Sequence, residues 1–210
     1  MTAARLALVL LGASIGGPAG AEPAPSSRYS PLDLTGPGCR SDPGPAKGSL
    51  CKGMAGWMIG VGSPAFGTTV QIAKRGRLRP NGLDAKDGRS LAIEGLGATA
   101  PRVEWRGAPH AGQFDPYAAI LRVTVLDPAQ RQSAIENGGR LPAKPLRTQV
   151  LIVYRLGPEG SCPVAYVDAQ PDANALARAA ADSVARTAKC PVDHITVIGQ
   201  ASSILTDNLR

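Results

Sequence analysis

Cys39, Cys51, Cys162 and Cys190 are the residues of this chain most able to do covalent or metal chemistry. A zinc site would want closely spaced thiolates joined by histidines, yet no C-x-x-C pair occurs. The only histidines, His110 and His194, stand apart from any cysteine cluster. An even number of cysteines in an exported chain reads instead as two disulfides. Three pairings are possible, and the local one, Cys39–Cys51 with Cys162–Cys190, is expected. Loop entropy alone gives such links about 3 and 3.5 kcal/mol. No metal and no cofactor is expected.

The densest charge feature is Lys74-Arg75-Gly76-Arg77-Leu78-Arg79. Lys74, Arg75, Arg77 and Arg79 could grip the phosphate or carboxylate groups of an anionic envelope polymer. The plainer expectation is a solvated loop on a protein of formal net charge +7. Aromatic residues make up 4% of the chain, too little stacking surface for dedicated nucleic-acid recognition. Trp57 and Trp105 could stack on a sugar, but their strand-like surroundings favour a place in the core.

Acid–base candidates are sparse. Asp193 and His194 are neighbours in sequence, and successive residues of an extended segment point to opposite faces, so they are poorly placed to share a proton. A hydrolase would need His194 to meet Asp168 or Glu104 through the fold. Gly60-Val61-Gly62-Ser63-Pro64-Ala65 and Gly95-Leu96-Gly97-Ala98-Thr99-Ala100 fit a dinucleotide pattern by letter. That chemistry needs a helix N-terminus aimed at a pyrophosphate, and Pro64 and Pro101 argue for turns between strands instead.

The elements that would position these residues follow from hydrophobic period. Residues 1–21 carry Arg5, an apolar run over 6–15 and the small residues Ala19-Gly20-Ala21, the pattern of a signal peptide cleaved near Ala21. The run is too short for a transmembrane anchor. Export to the periplasm or beyond is therefore expected, and the one G-x-S-x-G match, around Ser14, leaves with the signal. Residues 22–48 form a Pro/Gly-rich segment in which 29–34 can dock as a strand and 35–48 read as a loop. Residues 49–210 read as a single domain.

Alternation predicts strands at 68–73, 103–106 and 120–126, apolar runs predict them at 57–61 and 149–156, and further short strands are expected at 164–167, across a hairpin turn at Gly157-Pro158-Glu159-Gly160, and at 195–198. One helix is predicted over 172–189. Asp172 would cap it, and Leu176, Ala180 and Val184, with Ala173, Ala177 and Ala188, would form its apolar stripe. Arg178, Asp182 and Arg186 would pair with one another along its polar side. The expected fold is α+β: a mostly antiparallel sheet of six or more strands, one C-terminal helix packed on one face, and two disulfides.

Cys162-Pro163-Val164-Ala165-Tyr166-Val167-Asp168-Ala169, then Pro171-Asp172-Ala173-Asn174-Ala175-Leu176-Ala177 and Cys190, resemble a family of small exported proteins of alphaproteobacterial type. Tyr29-Ser30-Pro31-Leu32-Asp33-Leu34, Val103-Glu104-Trp105-Arg106 and Ala119-Ile120-Leu121-Arg122 agree with it in order and spacing. The resemblance implies an exported single domain with two disulfides, and it carries over no catalytic residue. The family has Trp before its second cysteine and His after its third, where this chain has Leu50 and Pro163.

The function expected from these readings is a non-enzymatic periplasmic protein that binds an anionic envelope polymer or a protein partner. Inhibition of cell-wall-degrading enzymes is one alternative, by analogy of small stapled β domains. A hydrolase with a site assembled only in the fold is another.

Overall fold

The computed structural model describes residues 23–42, 48–62, 68–75, 91, 93–96, 101–199 and 204–205. The expected signal segment, Arg77 and Arg79 lie outside the described residues. The elements run β1 (Ser26–Pro31), β2 (Cys39–Asp42), β3 (Gly48–Lys52), β4 (Trp57–Gly62), β5 (Thr69–Lys74), β6 (Ile93–Leu96) and β7 (Arg102–His110). Then come β8 (Gln113–Leu126), α1 (Pro128–Glu136), β9 (Arg147–Gly157), β10 (Gly160–Asp168), α2 (Ala173–Ala180) and β11 (Thr196–Ile198).

The long strands form where period-two alternation is strongest. In β8, Leu121, Val123 and Val125 point to one face and Ala118 and Ile120 to the other. In β9, Val150 to Tyr154 are buried on both faces, which puts that strand in the middle of the sheet. The large sheet has seven strands, six in the order β1-β7-β8-β9-β10-β11 and β6 off that path, paired with β8. Strand β6 takes up β8 beyond the end of β7, with Val103 opposite Leu121 and Leu96 opposite Val123. All of its pairings are antiparallel except β10–β11. The turn at Gly157–Gly160 closes the β9–β10 hairpin as the sequence predicts.

The expectation of one sheet and one helix is corrected in two places. A second, four-stranded antiparallel sheet, β2-β3-β4-β5, packs across the first. Its Trp57, Ile59, Val61 and Ile72 meet Val103, Trp105, Leu121, Val123 and Ile152 in one core. Part of the segment read as a loop, Cys39–Asp42, is a strand of this sheet. The second addition is α1, which Asp127 caps by accepting the Gln130 N–H at 3.0 Å.

On its other face the large sheet carries α2, so the molecule has three layers: sheet, sheet, helix. The helix contacts the sheet through Ala173, Ala177, Ala180, Ala181 and Ala185, over Ile120, Leu151, Val153, Ala165 and Val167. Leu176 and Val184, expected in the stripe, sit at its margin. The reason lies in the winding. Each four-residue step along an α-helix overshoots a full turn by about 40°. The helix continues from α2 through π-type turns over Ala181–Ala185, whose wider winding offsets that drift and keeps 173, 177, 181 and 185 on the sheet. Asp172 makes no side-chain cap; its Oδ1 accepts instead from Gln170 Nε2 at 2.6 Å.

Both disulfides form with the local pairing, Cys39–Cys51 and Cys162–Cys190. The first ties directly opposed residues of β2 and β3. The second joins β10 to the chain leaving the helix.

Candidate functional site

The most elaborate constellation of polar side chains among the described residues lies where long side chains of the helix reach the β1–β7 edge of the large sheet. Register builds its floor. Ser27 on β1 faces Arg106 on β7, and Tyr29 faces Glu104. Residues two apart on a strand share a face, so these four side chains stand in two adjacent rows on the face that carries the helix. Tyr117 joins them through a β-bulge: Arg106 pairs with Ala118 but Gly107 pairs with Pro116, which leaves Tyr117 as the extra residue. Pro116 lacks a donor for the ladder and suits such a break. Gly107 is required there, since a Cβ would stand 2.8 Å from Pro116 Cα.

Arg178 and Asp182 reach down from the helix. Arg178 Nε donates to Glu104 Oε1 at 2.6 Å, and its Nη2 donates to Tyr29 Oη at 2.9 Å. Ser27 Oγ donates to the same Glu104 oxygen at 2.5 Å. Arg106 grips Asp182 with two parallel bonds, Nε to Oδ1 at 2.7 Å and Nη2 to Oδ2 at 2.6 Å. Tyr117 Oη adds a third bond to Asp182 Oδ1 at 2.6 Å, and the Arg186 guanidinium lies 5.3 Å from the Tyr117 ring centre. Beyond the pairing expected along the helix, Arg178 and Asp182 make these longer-range bonds, and the Arg186 charge still favours ionised Asp182. The same i, i+4 spacing that suits pairing along a helix also points all three residues at one strip of sheet.

Burial pushes the Asp182 carboxyl up, but the hydrogen bonds from Arg106 and Tyr117 outweigh it, so the group ionises below the ordinary carboxylate value. Burial, then the bond to Asp182 and its charge, push the Tyr117 phenol well above its usual range. The bonds to Asp182 and Glu104 raise Arg106 and Arg178 respectively. Two further arginines tie the helix at its ends. Arg122 Nη2 donates to Asn174 Oδ1 at 3.0 Å, and Arg155 Nη1 donates to the Ala185 carbonyl at 3.0 Å. Chemically this is a clamp. Its carboxylate oxygens are taken by internal donors, and its cations by internal acceptors.

The other nominated residues go elsewhere. Asp168 is 3% exposed and, by alternation with Val167, points to the face of Tyr166, opposite to that of Glu104. Three strand spacings separate β7 from β10, about 14 Å. His194 and Asp193 are exposed just before β11, and His110 is exposed at the β7–β8 turn. Of the basic run, Lys74 ends β5 with its Nζ on the Ala55 carbonyl at 2.7 Å and 4.7 Å from the Trp57 ring centre. Arg75 follows, exposed, in the turn. Trp57 and Trp105 are 4% and 0% exposed, which removes them as a sugar-stacking platform. Trp105 Nε1 donates to Ser30 Oγ at 2.8 Å.

Among the described residues, no group of three or more His, Cys, Asp or Glu side chains is placed to hold a metal ion. No helix among them is long and apolar enough to cross a membrane. Ser27, Tyr29, Arg106 and Tyr117 were not legible as members of one cluster, because their sequence separations from the helix run from 65 to 149 residues. No family model, curated protein or solved structure matches the chain.

Proposed function

We propose that this chain is an exported interaction protein of the cell envelope that works by binding rather than by catalysis. The observation that carries the reading is the fate of the nominated acids. Glu104 is spent on Arg178 and Ser27, and Asp168 faces the other side of the sheet. A general acid or base must reach a substrate proton, and neither residue is offered to one. Export draws support from the signal-like residues 1–21 and from two disulfides that would be reduced in most cytosols.

Fractionation of expressing cells with thiol alkylation, followed by crosslinking within the intact envelope, tests this. The reading requires an envelope-located chain with no alkylatable thiol and discrete crosslinked adducts. A cytosolic chain with four free thiols, or an envelope-located chain that forms no adduct, overturns it.

A further inference from the structure

The connection between β8 and β9 carries a surface feature that the clamp does not use. Among the described residues, the exposed large hydrophobic side chains are Tyr29, Leu34, Ile135, Leu141 and Leu146. The last three fall within a single stretch of α1 and the connection after it, at 38%, 37% and 56% exposure. Isolated exposed leucines are ordinary, whereas a local group of them is not.

Backbone bonds hold this stretch against α1. The Gly139 N–H donates to the Ala134 carbonyl at 2.7 Å, which turns the chain at the end of the helix. The Asp127 N–H donates to the Leu146 carbonyl at 3.0 Å, and the Leu146 N–H donates to Gln130 Oε1 at 2.8 Å, which brings the chain back to the helix start. Ile135 thus stands near one end of a helix about 13 Å long and Leu146 near the other. Ala134 is the one fully buried side chain of α1, Pro128, Gln130 and Arg131 are half-buried, and the remaining five are exposed.

The charge around these side chains is net cationic, Arg131, Arg140 and Lys144 against Asp127 and Glu136. Arg140 and Lys144 are exposed and make no ion pair among the described residues. Of the two carboxylates, Asp127 accepts the Gln130 N–H as the helix cap and Glu136 accepts from Gln132 Nε2 at 2.7 Å. Exposed Ile and Leu interleaved with unpaired cations complement a surface that is anionic at its face and apolar just beneath it. A hydrated polyanion would satisfy the cations and leave the three hydrocarbon side chains in water.

We infer that α1 and residues 137–146 form a docking surface for an anionic phospholipid bilayer, with Arg140 and Lys144 at the headgroups and Ile135, Leu141 and Leu146 dipping below them. The chain lies on the membrane rather than across it. The inference rests on the envelope reading above and names the partner for one face of the protein.

Co-sedimentation of the purified mature protein with vesicles of equal parts phosphatidylglycerol and phosphatidylcholine tests it. Binding is expected at low salt and is expected to weaken as salt rises. Each cation near such a surface is worth about fivefold in partitioning. The pair Arg140→Gln with Lys144→Gln should therefore weaken binding by more than tenfold, and Leu141→Ser with Leu146→Ser by about tenfold or more. The charge-matched control Arg40→Gln with Lys52→Gln, on exposed residues of β2 and β3 in the other sheet, should stay within about twofold. Thermal melts establish that each variant is folded. Absence of vesicle binding overturns the inference, as does an equal loss in the control, which would reduce the effect to net charge. Discrete protein adducts in the envelope without vesicle binding would overturn this inference alone, whereas absence of both would overturn the envelope reading as well.

Discussion

Arg106 on β7 and Asp182 on the helix are joined by two parallel hydrogen bonds, at 2.7 and 2.6 Å. The side chains are 15% and 28% exposed, so the pair is largely shielded from solvent. Removing one partner leaves the other with unsatisfied bonds in a half-dry site. Asp182→Ala and Arg106→Ala should each lower unfolding free energy by about 2 kcal/mol, and the double variant by clearly less than the sum. Urea denaturation of the four proteins in this cycle gives the coupling directly.

The same pair sets an acid limit on stability. Asp182 ionises below its ordinary value of 3.8 in the folded state. Its stabilising contribution is therefore complete above the unfolded value and is lost as pH falls through the folded one. The stability difference between wild type and Asp182→Asn should be flat above about pH 5 and shrink below about pH 4. Thermal melts across that range would contradict the clamp if the difference grew on acidification.

Close approach of helix to sheet depends on small side chains. Ala177 is fully buried at the middle of the contact stripe. Ala177→Leu should destabilise the fold by about 1–3 kcal/mol through overpacking, although leucine is a good helix former. Arg178→Met, at the rim, removes the bonds to Glu104 and Tyr29 but adds no bulk beneath the helix. A calorimetric melt in which Ala177→Leu matched wild type would mean that the helix does not pack as described.

The β7–β8 turn offers a gain in stability. Ala111 and Gly112 both have positive φ, 48° and 78°, as a two-residue hairpin of the primed type requires. Alanine is strained there and asparagine is not. Ala111→Asn should stabilise the protein by about 0.5–1 kcal/mol, raising Tm by about 1–3 °C.

What the sequence made legible was local. Period-two alternation located the cores of β5, β7 and β8, apolar runs located those of β4 and β9, and the Gly-Pro-Glu-Gly turn located the hairpin to β10, because each signal lies within a few residues. Helix α1 escaped because it buries Ala134 alone and so has no apolar stripe, although Asp127-Pro128 at its start was a usable capping signal. The β2–β3 hairpin was hidden by its Pro/Gly-rich neighbours, with Cys39–Cys51 as its only trace. The clamp was misread for a different reason. Arg178, Asp182 and Arg186 look the same in sequence whether they pair along a helix or reach for a sheet, and the choice is made by a β1–β7–β8 register set far away in the chain.

On the proposed reading Glu104 and its partners only hold the helix, while the protein acts by binding in the envelope. Crosslinking in the intact envelope, with wild type and Glu104→Gln compared at equal folded amounts, tests it most directly. The account predicts the same discrete adducts from both proteins, each carrying intact Cys39–Cys51 and Cys162–Cys190 links. Adducts lost from a folded Glu104→Gln protein, or a wild-type chain recovered reduced from the cytosol, would contradict it.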